Sequence, residues 1–372
     1  MTDFALYIHV PFCVRKCAYC DFVSYPNRER QWRAYFQSLE EEMRAWRDKM
    51  QGRPCASVFF GGGTPSLMPA ELLTGALSCA ATCFSLRTDA EITLEANPGT
   101  VDAEKLRCLR RAGFNRISFG VQAMDDGLLR KLGRVHTAAE VVRAVADARK
   151  AGFDNLNLDV MYALPEQTPE MWRETLERVL AFHPEHVSAY SLILEEGTQM
   201  AAMASQGEIR LPGEEEVLAM QRAAGEMLAA AGRIRYEISN YALPGRECRH
   251  NLTYWYRGEY LGIGCAAHSL MDETRFHNAE NLEEYLSGGR RLDVEQLDAA
   301  ARAEELILLS TRTVKGLSLE QFRRETGEEL TKYAPCAWDF VRTGFATMED
   351  GRFALTPKGM EVQNAIVTQM VR

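Results

Sequence analysis

The stretch FCVRKCAYCDF, residues 12–22, sets Cys13, Cys17 and Cys20 within eight residues in the spacing C-x3-C-x2-C and offers Phe22 where a further thiol could stand. Three thiolates on one short loop bind a soft metal, and the two readings are zinc and an iron–sulfur cluster. Structural zinc usually joins a C-x2-C pair to a second Cys/His pair farther along, and no such partner pair follows here. A [4Fe-4S] cube normally takes four cysteines, so three leave one iron with an open position, which is a place for a substrate.

The surrounding chain has 372 residues, 46% of them hydrophobic, and a formal charge of -9, enough for one large domain and a smaller one. No stretch reaches the roughly 20 uncharged apolar residues of a membrane span, and the start MTDFALYIHVPFC lacks a basic region followed by an apolar signal segment, so a cytoplasmic protein is expected. Cys55, Cys79, Cys83, Cys108, Cys248, Cys265 and Cys336 have no regular spacing and read as small buried hydrophobes or free thiols. The acidic balance and the lack of a long basic run argue against a nucleic-acid surface and for small partners.

Short β-branched or apolar runs recur outward from the cysteines: ALYIHV (5–10), SVFFG (57–61), EITLEAN (91–97), RISFGVQ (116–122), NLNLDVM (155–161) and HVSAYSLIL (186–194). Between them, Thr137 with Glu140 forms a capping box, and Thr168 before Pro169 opens another helix. RAGFNRI (111–117) and KAGFDNL (150–156) are a weak repeat in which Gly113 and Gly152 read as helix C-caps. Six β/α units imply an α/β fold with a parallel sheet, an incomplete (β/α)6 barrel over residues 1–235. Residues 236–285, rich in Tyr, Gly and Asn, read as a long structured connector. Residues 286–372 read as a smaller, mainly helical, winged-helix-like domain, with a hairpin through Asp350-Gly351 and a last helix opened by Thr356 and Pro357.

YIHVPF ahead of the cysteine motif completes a signature by which the chain resembles the radical S-adenosylmethionine (SAM) proteins. That resemblance implies that the open iron chelates the amino and carboxylate groups of SAM, and that the reduced cluster passes an electron to the sulfonium to release a deoxyadenosyl radical. GGGTPS (61–66) follows the second strand, and its glycines are expected to bring backbone N–H and C=O groups close to the methionine end of SAM. Glu95, Gln122, Arg134 and Asp159 fall at or just past the C-terminal ends of later strands, the edge that carries the site in parallel barrels. Each alone reads equally well as a surface group or a helix cap. By resemblance, Tyr7, Gly62, Gly63, Thr64, Glu95, Gln122, Arg134 and Asp159 match the SAM-contacting pattern of the oxygen-independent coproporphyrinogen III oxidase (HemN) family, over nearly the whole chain.

Two departures separate the chain from the decarboxylating oxidase: Cys13 lies only 13 residues from the start, where the oxidase has a long extension, and Phe22 replaces its additional cysteine. Both features resemble the haem-chaperone branch, which also carries H-N-x-x-Y-W, here HNLTYW from His250 to Trp255. An imidazole can ligate haem iron while aromatic neighbours pack on the porphyrin, so the resemblance makes His250 the haem-binding candidate, with His268 and His277 in reserve. The plainer reading of His250 is a hydrogen-bonded loop histidine. The resemblance implies a haem chaperone with a [4Fe-4S] cluster and SAM, carrying haem as cargo to an acceptor protein and drawing on an electron donor. The alternatives are a coproporphyrinogen III oxidase of porphyrin biosynthesis and a nucleic-acid-binding radical SAM enzyme. Residues 301–372 hold 10 Lys/Arg and 10 Asp/Glu, which leaves no basic footprint, so the tail is expected to cover the barrel mouth or dock a partner.

Overall fold

The computed structural model describes residues 3–371. Its main sheet has twelve strands, numbered in chain order. The first six are β1 (Phe4–Val10), β2 (Pro54–Gly62), β3 (Ser85–Ala96), β4 (Arg116–Gln122), β5 (Leu156–Tyr162) and β6 (His186–Ser191). They pair side by side in that order and all in parallel. A helix follows each: Trp32–Trp46, Ala70–Cys83, Ala103–Ala112, Ala138–Lys150, Pro169–Leu180 and Glu214–Ala230. The expected incomplete (β/α)6 barrel is therefore present.

Alternation along these strands decides what the barrel encloses. Leu6, Ile8, Val58, Phe60, Leu94, Ile117, Phe119, Leu158, Val160 and Val187 join one continuous apolar core with the helices. The residues between them, Tyr7, Phe59, Glu95, Arg116, Ser118, Asn157, Asp159 and Ser188, line an interior cavity. Period-two side chains thus make an apolar outside, covered by helices, and a polar inside. Punctuation follows the sequence: Thr137 and Glu140 form the capping box, Thr168 accepts from the Met171 amide, and Gly113 and Gly152 both take positive φ.

The segment read as a connector, together with residues flanking it on either side, adds strands to both edges of the same sheet. β7 (Ile234–Arg235) and β8 (Asn240–Ala242) extend it beyond β6, while β9 (Tyr260–Ile263) runs parallel to β1 and is followed by antiparallel β10 (His268–Met271), β11 (Thr274–His277) and β12 (Leu292–Gln296). Runs of two to five residues are too short for an alternation to register in sequence. Between the two sets lies the helix Arg249–Trp255, which is HNLTYW with one residue before it.

The tail has a core of its own around Leu306, Phe322, Phe353 and Ile366. Its three-stranded sheet pairs Leu317–Ser318 with Arg352–Leu355, and that strand with Ala346–Glu349. Asp350 and Gly351, both at positive φ, make the tight hairpin turn, and Thr356 caps the following helix ahead of Pro357. Among the described residues no helix is long and apolar enough to cross a membrane.

Arg257 joins the two parts. Its buried guanidinium meets Glu273 at 2.6 Å, Glu305 at 2.8 Å and Glu325 at 3.2 Å, the last two from tail helices. Removing the shared cation leaves three partly exposed carboxylates facing one another, with Arg275, Arg302 and Arg324 as their remaining partners. Arg257→Ala should cost about 1–3 kcal/mol, read as a lowered urea midpoint. A midpoint within about 0.5 kcal/mol of wild type would show that the cluster is balanced without it.

Candidate functional site

All twelve residues singled out from the sequence line one cavity of about 520 Å³. The three cysteines come from the loop after β1, Gly62, Gly63 and Thr64 from the end of β2, and Glu95 and Gln122 from the ends of β3 and β4. Arg134 enters from the loop beyond the helix Asp126–Lys131, and His250 from the helix Arg249–Trp255. Asp159 departs from expectation: it is the fourth of seven residues in β5, so it belongs to the cavity floor and not to the strand end. The tail departs too, since no residue after Tyr254 lines this cavity. It packs behind the HNLTYW helix, where Ser310 donates to the Trp255 carbonyl and Gln321 to that of Tyr256.

The glycine run brings β2 against the cysteine loop. Gly63 donates to the Val10 carbonyl at 3.0 Å and Thr64 to that of Phe12 at 2.8 Å, while the Gly62 amide donates to Glu95 Oε2 at 3.1 Å. These three N–H groups are therefore engaged by the protein, which corrects the expectation that they face SAM. A Cβ on Gly63 would meet backbone atoms of Phe12 and Val10 at 2.8 Å, and one on Gly62, at φ 105°, would meet the His9 ring at 2.3 Å. Thr64 Oγ1 then lies 3.4 Å from Cys13 Sγ. On the other side of the loop, Ala18 donates to the Leu132 carbonyl at 3.2 Å and Arg134 Nη1 approaches Cys17 Sγ at 3.6 Å.

The donor set fits a cluster better than an ion. Among the described residues no three His, Cys, Asp or Glu side chains converge on a single metal position, whereas a cube presents its irons at separate corners. Burial pushes the Cys13 thiol up and the Cys20 thiol to about 11, so both stay protonated until a metal displaces the proton. Cys13, Cys17 and Cys20 are thus the residues able to hold a cluster. Tyr7, Glu95, Gln122, Arg134 and Asp159 surround the space beside it.

Charge in the cavity is held back by desolvation. Burial, with the nearby charge of Asp159, raises the Glu95 carboxyl to about 8, and burial raises Asp159 as well against hydrogen bonds from Ser118 at 2.9 Å and Asn157 at 2.7 Å. His250 is 1% exposed, is pushed down to about 3 by burial and by Arg116, and stacks on Phe59 at 4.9 Å. Its Nδ1 pairs with Ser57 Oγ and its Nε2 with Tyr254 OH, both at 2.9 Å. Tyr7 and Tyr254 also wall a second, outer cleft of about 380 Å³ that includes His9, Phe22, Tyr260 and His268. His268 of this cleft is lowered by burial and stacks at 5.1 Å on His277, whose pKa is raised by its hydrogen bonds to the Asn278 carbonyl and Asp293.

Reading for strand ends missed the floor: Arg116, Ser118, Asn157 and Ser188 also line the cavity. Their signal was available as the polar half of the alternation in RISFGVQ, NLNLDVM and HVSAYSLIL. The Glu95 shift has a pH consequence. Its folded pKa lies above the ordinary 4.5, so the unfolded chain loses its proton first; the stabilisation is complete below that value and is lost as pH rises to about 8. In protein free of bound groups, Glu95→Gln should flatten the fall in melting temperature between about pH 5 and pH 8 and be the more stable at the upper end. Parallel wild-type and Glu95→Gln profiles would refute the shift.

Comparison with known proteins places this geometry. Residues 7–179 match the radical SAM superfamily, and residues 297–362 match the HemN C-terminal domain. The chain is 35% identical to "Heme chaperone HemW" of Lactococcus lactis subsp. lactis, covering 97% of this chain and 95% of that protein. It is 34% identical to the Bacillus subtilis protein of the same name over 97% of each, and 40% identical to that of Escherichia coli over 72% and 70%. The solved structure of coproporphyrinogen III oxidase (HemN) from Escherichia coli superposes with a TM-score of 0.84 at 22% identity, covering 99% of this chain and 90% of that one, a likeness of fold. The chain belongs to the radical SAM superfamily and, within it, to the HemW family.

Proposed function

We propose that the protein is a haem chaperone, which binds haem and hands it to an acceptor protein, and that it holds a [4Fe-4S] cluster on Cys13, Cys17 and Cys20 with SAM beside it. The name of the relatives, haem chaperone, supports the cargo. The observation that carries the reading is the HNLTYW helix itself: its Tyr254 is shared by the inner cavity and the outer cleft, so the motif borders both. The division into a radical SAM core (1–235), an HNxxYW segment (236–285) and a HemN-type C-terminal domain (286–372) goes with it.

Within the cavity the chain's own groups have distinct tasks. The Thr64 hydroxyl and the Arg134 guanidinium flank the thiolate positions of Cys13 and Cys17. Gly62 fixes Glu95, and Tyr7, hydrogen-bonded to His9 at 2.9 Å, completes the wall on the β1 side. Glu95, Gln122, Arg134 and Asp159 hold the polar groups of SAM. When bound and reduced by an electron donor, a cluster on Cys13, Cys17 and Cys20 would supply the electron that cleaves SAM.

Cargo belongs where the inner cavity meets the outer cleft, at Phe22, which lines both, is 63% exposed and offers an apolar face. His250 is the first iron contact, and its geometry sets a condition: Nε2 must leave Tyr254 before it can bind a metal. His268 meets no such condition and is the second contact. Phe22 in place of an additional thiol favours this reading over coproporphyrinogen oxidation.

Three outcomes are expected of anaerobically reconstituted protein. Replacing Cys13, Cys17 and Cys20 together by Ala should abolish bound iron and sulfide; full retention would remove the cluster assignment. Haem should bind stoichiometrically while coproporphyrinogen III survives SAM and reductant; catalytic formation of protoporphyrinogen IX without stoichiometric haem binding would overturn the function. His250→Ala should shift the Soret band or weaken haem binding with iron content intact, whereas a change confined to His268→Ala would transfer the ligand role to the cleft.

A further inference from the structure

We propose that the floor of the inner cavity is a second small-molecule site, in which Arg116 binds the carboxylate of a monocarboxylic acid other than SAM. The haem reading neither requires this site nor supplies it.

Arg116 opens β4 and points inward, in register with Thr93 of β3 and one row below the Glu95–Ser118 pair. It is 1% exposed, among the largest fully buried side chains of the molecule. Its Nε has no hydrogen-bond partner, and the surrounding groups act on the guanidinium only through space. Thr93 Oγ1, beside it, is also unpartnered. A buried guanidinium ordinarily has its donors engaged. Arg233 fits that rule, donating to the Pro184 and Ala231 carbonyls, and so does Arg257 with its three glutamates.

The nearby acids are already bonded elsewhere. Glu91 accepts from the Arg249 and His250 amides at 3.2 and 3.1 Å and from Cys248 Sγ at 3.4 Å. Asp159 accepts from Ser118 and Asn157. Arg116 therefore faces the cavity as a cation with free donors, and the missing partner is an anion.

The surroundings select its kind. A planar guanidinium matches a carboxylate or a phosphate bidentately. Glu95 and Asp159 line the same space and are driven toward their neutral forms, so Arg116 is the one charge of the floor left to balance and a single negative charge fits. Phe59 and the His250 ring give an apolar flank for the rest of a short acid. The other guanidiniums of the cavity are engaged: Arg134 at Cys17 and by the Gly120 carbonyl at 2.7 Å, and Arg15 by the Gly133 and Arg134 carbonyls, which keeps both with the cysteine loop.

The probe is sodium propanoate, titrated at constant ionic strength into anaerobically reconstituted protein saturated with SAM, with propanamide as the neutral isostere. Thermal stability should rise saturably with propanoate and not with propanamide. Arg116→Gln should weaken the propanoate effect about tenfold or more while leaving iron content and SAM affinity unchanged. If that variant fails to fold, Arg116→Lys, which keeps the charge and loses the fork, should show the weakened response. Equal response to propanoate and propanamide overturns the site, as does an undiminished propanoate effect in the folded variant. A propanoate effect seen without SAM and abolished by it assigns Arg116 to the SAM carboxylate and overturns the second ligand. No arm contains haem, so failure here is separate from failure of the chaperone reading.

Discussion

Backbone contact between the end of β2 and the cysteine loop is the constraint on which the cavity depends. No Cβ fits at Gly63, because Val10 and Phe12 backbone atoms already occupy its place, and none fits at Gly62 against the His9 ring. The approach has two consequences at once. It lays Cys13 beside Thr64, which fixes one edge of a cluster, and it turns the Gly62 amide to Glu95, which fixes the carboxyl nearest that edge. A loop of three cysteines without this contact would be free to move as a unit. With it, and with Ala18 held by Leu132 on the far side, the loop is tied at both ends.

The barrel reverses the usual relation of polarity to burial. Helices cover an apolar exterior, while the interior carries acids, amides, hydroxyls and arginines. Such an interior is stable only where its groups are neutral or bonded. Most of them are: Glu95 and Asp159 are driven toward their protonated forms, His250 toward its neutral one, and Asn157 is bonded to Ser118, Asp159 and Ser188. What remains is a cavity whose persistent charges are positive, on Arg116 and Arg134 inside and on Arg15 and Lys16 of the cysteine loop. That bias suits ligands bearing carboxylates, and it sharpens the contrast between the bonded floor residues and the one guanidinium left without a partner.

Most of this was legible in the sequence where a pattern was long or chemically unusual. Strands of six or seven residues announced themselves by alternation, and the caps at Thr137, Thr168 and Thr356 by their side chains. The cysteine spacing led to the cavity because nothing apolar explains three thiols so close together. Three things were hidden, each for a physical reason. β7 to β12 are too short for alternation and depend on pairing with distant edges. The position of the tail depends on Arg257 meeting glutamates from elements far apart in the chain. Arg116 at the start of a strand reads as a solvent-exposed end until β3 and β5 enclose it.

The HNLTYW helix shows why a seven-residue element can matter to every part of the molecule. Too short to be stable alone, it is held from outside. Glu91 accepts the first amides, an acid where the helix dipole favours one, and Ser57 fixes the His250 ring against Phe59. At its other end the tail takes hold, with Arg312 over the Trp255 ring at 4.6 Å and Ser310 on its carbonyl. The face between these anchors carries His250 and Tyr254, one against the inner cavity and the other bordering both cavity and cleft. A ligand that draws His250 from Tyr254 therefore acts on a helix already fixed at its start by β3 and at its end by the tail, so the displacement is confined to the two side chains. Motif residues that look interchangeable in sequence thus divide into those that anchor the helix and those left able to move.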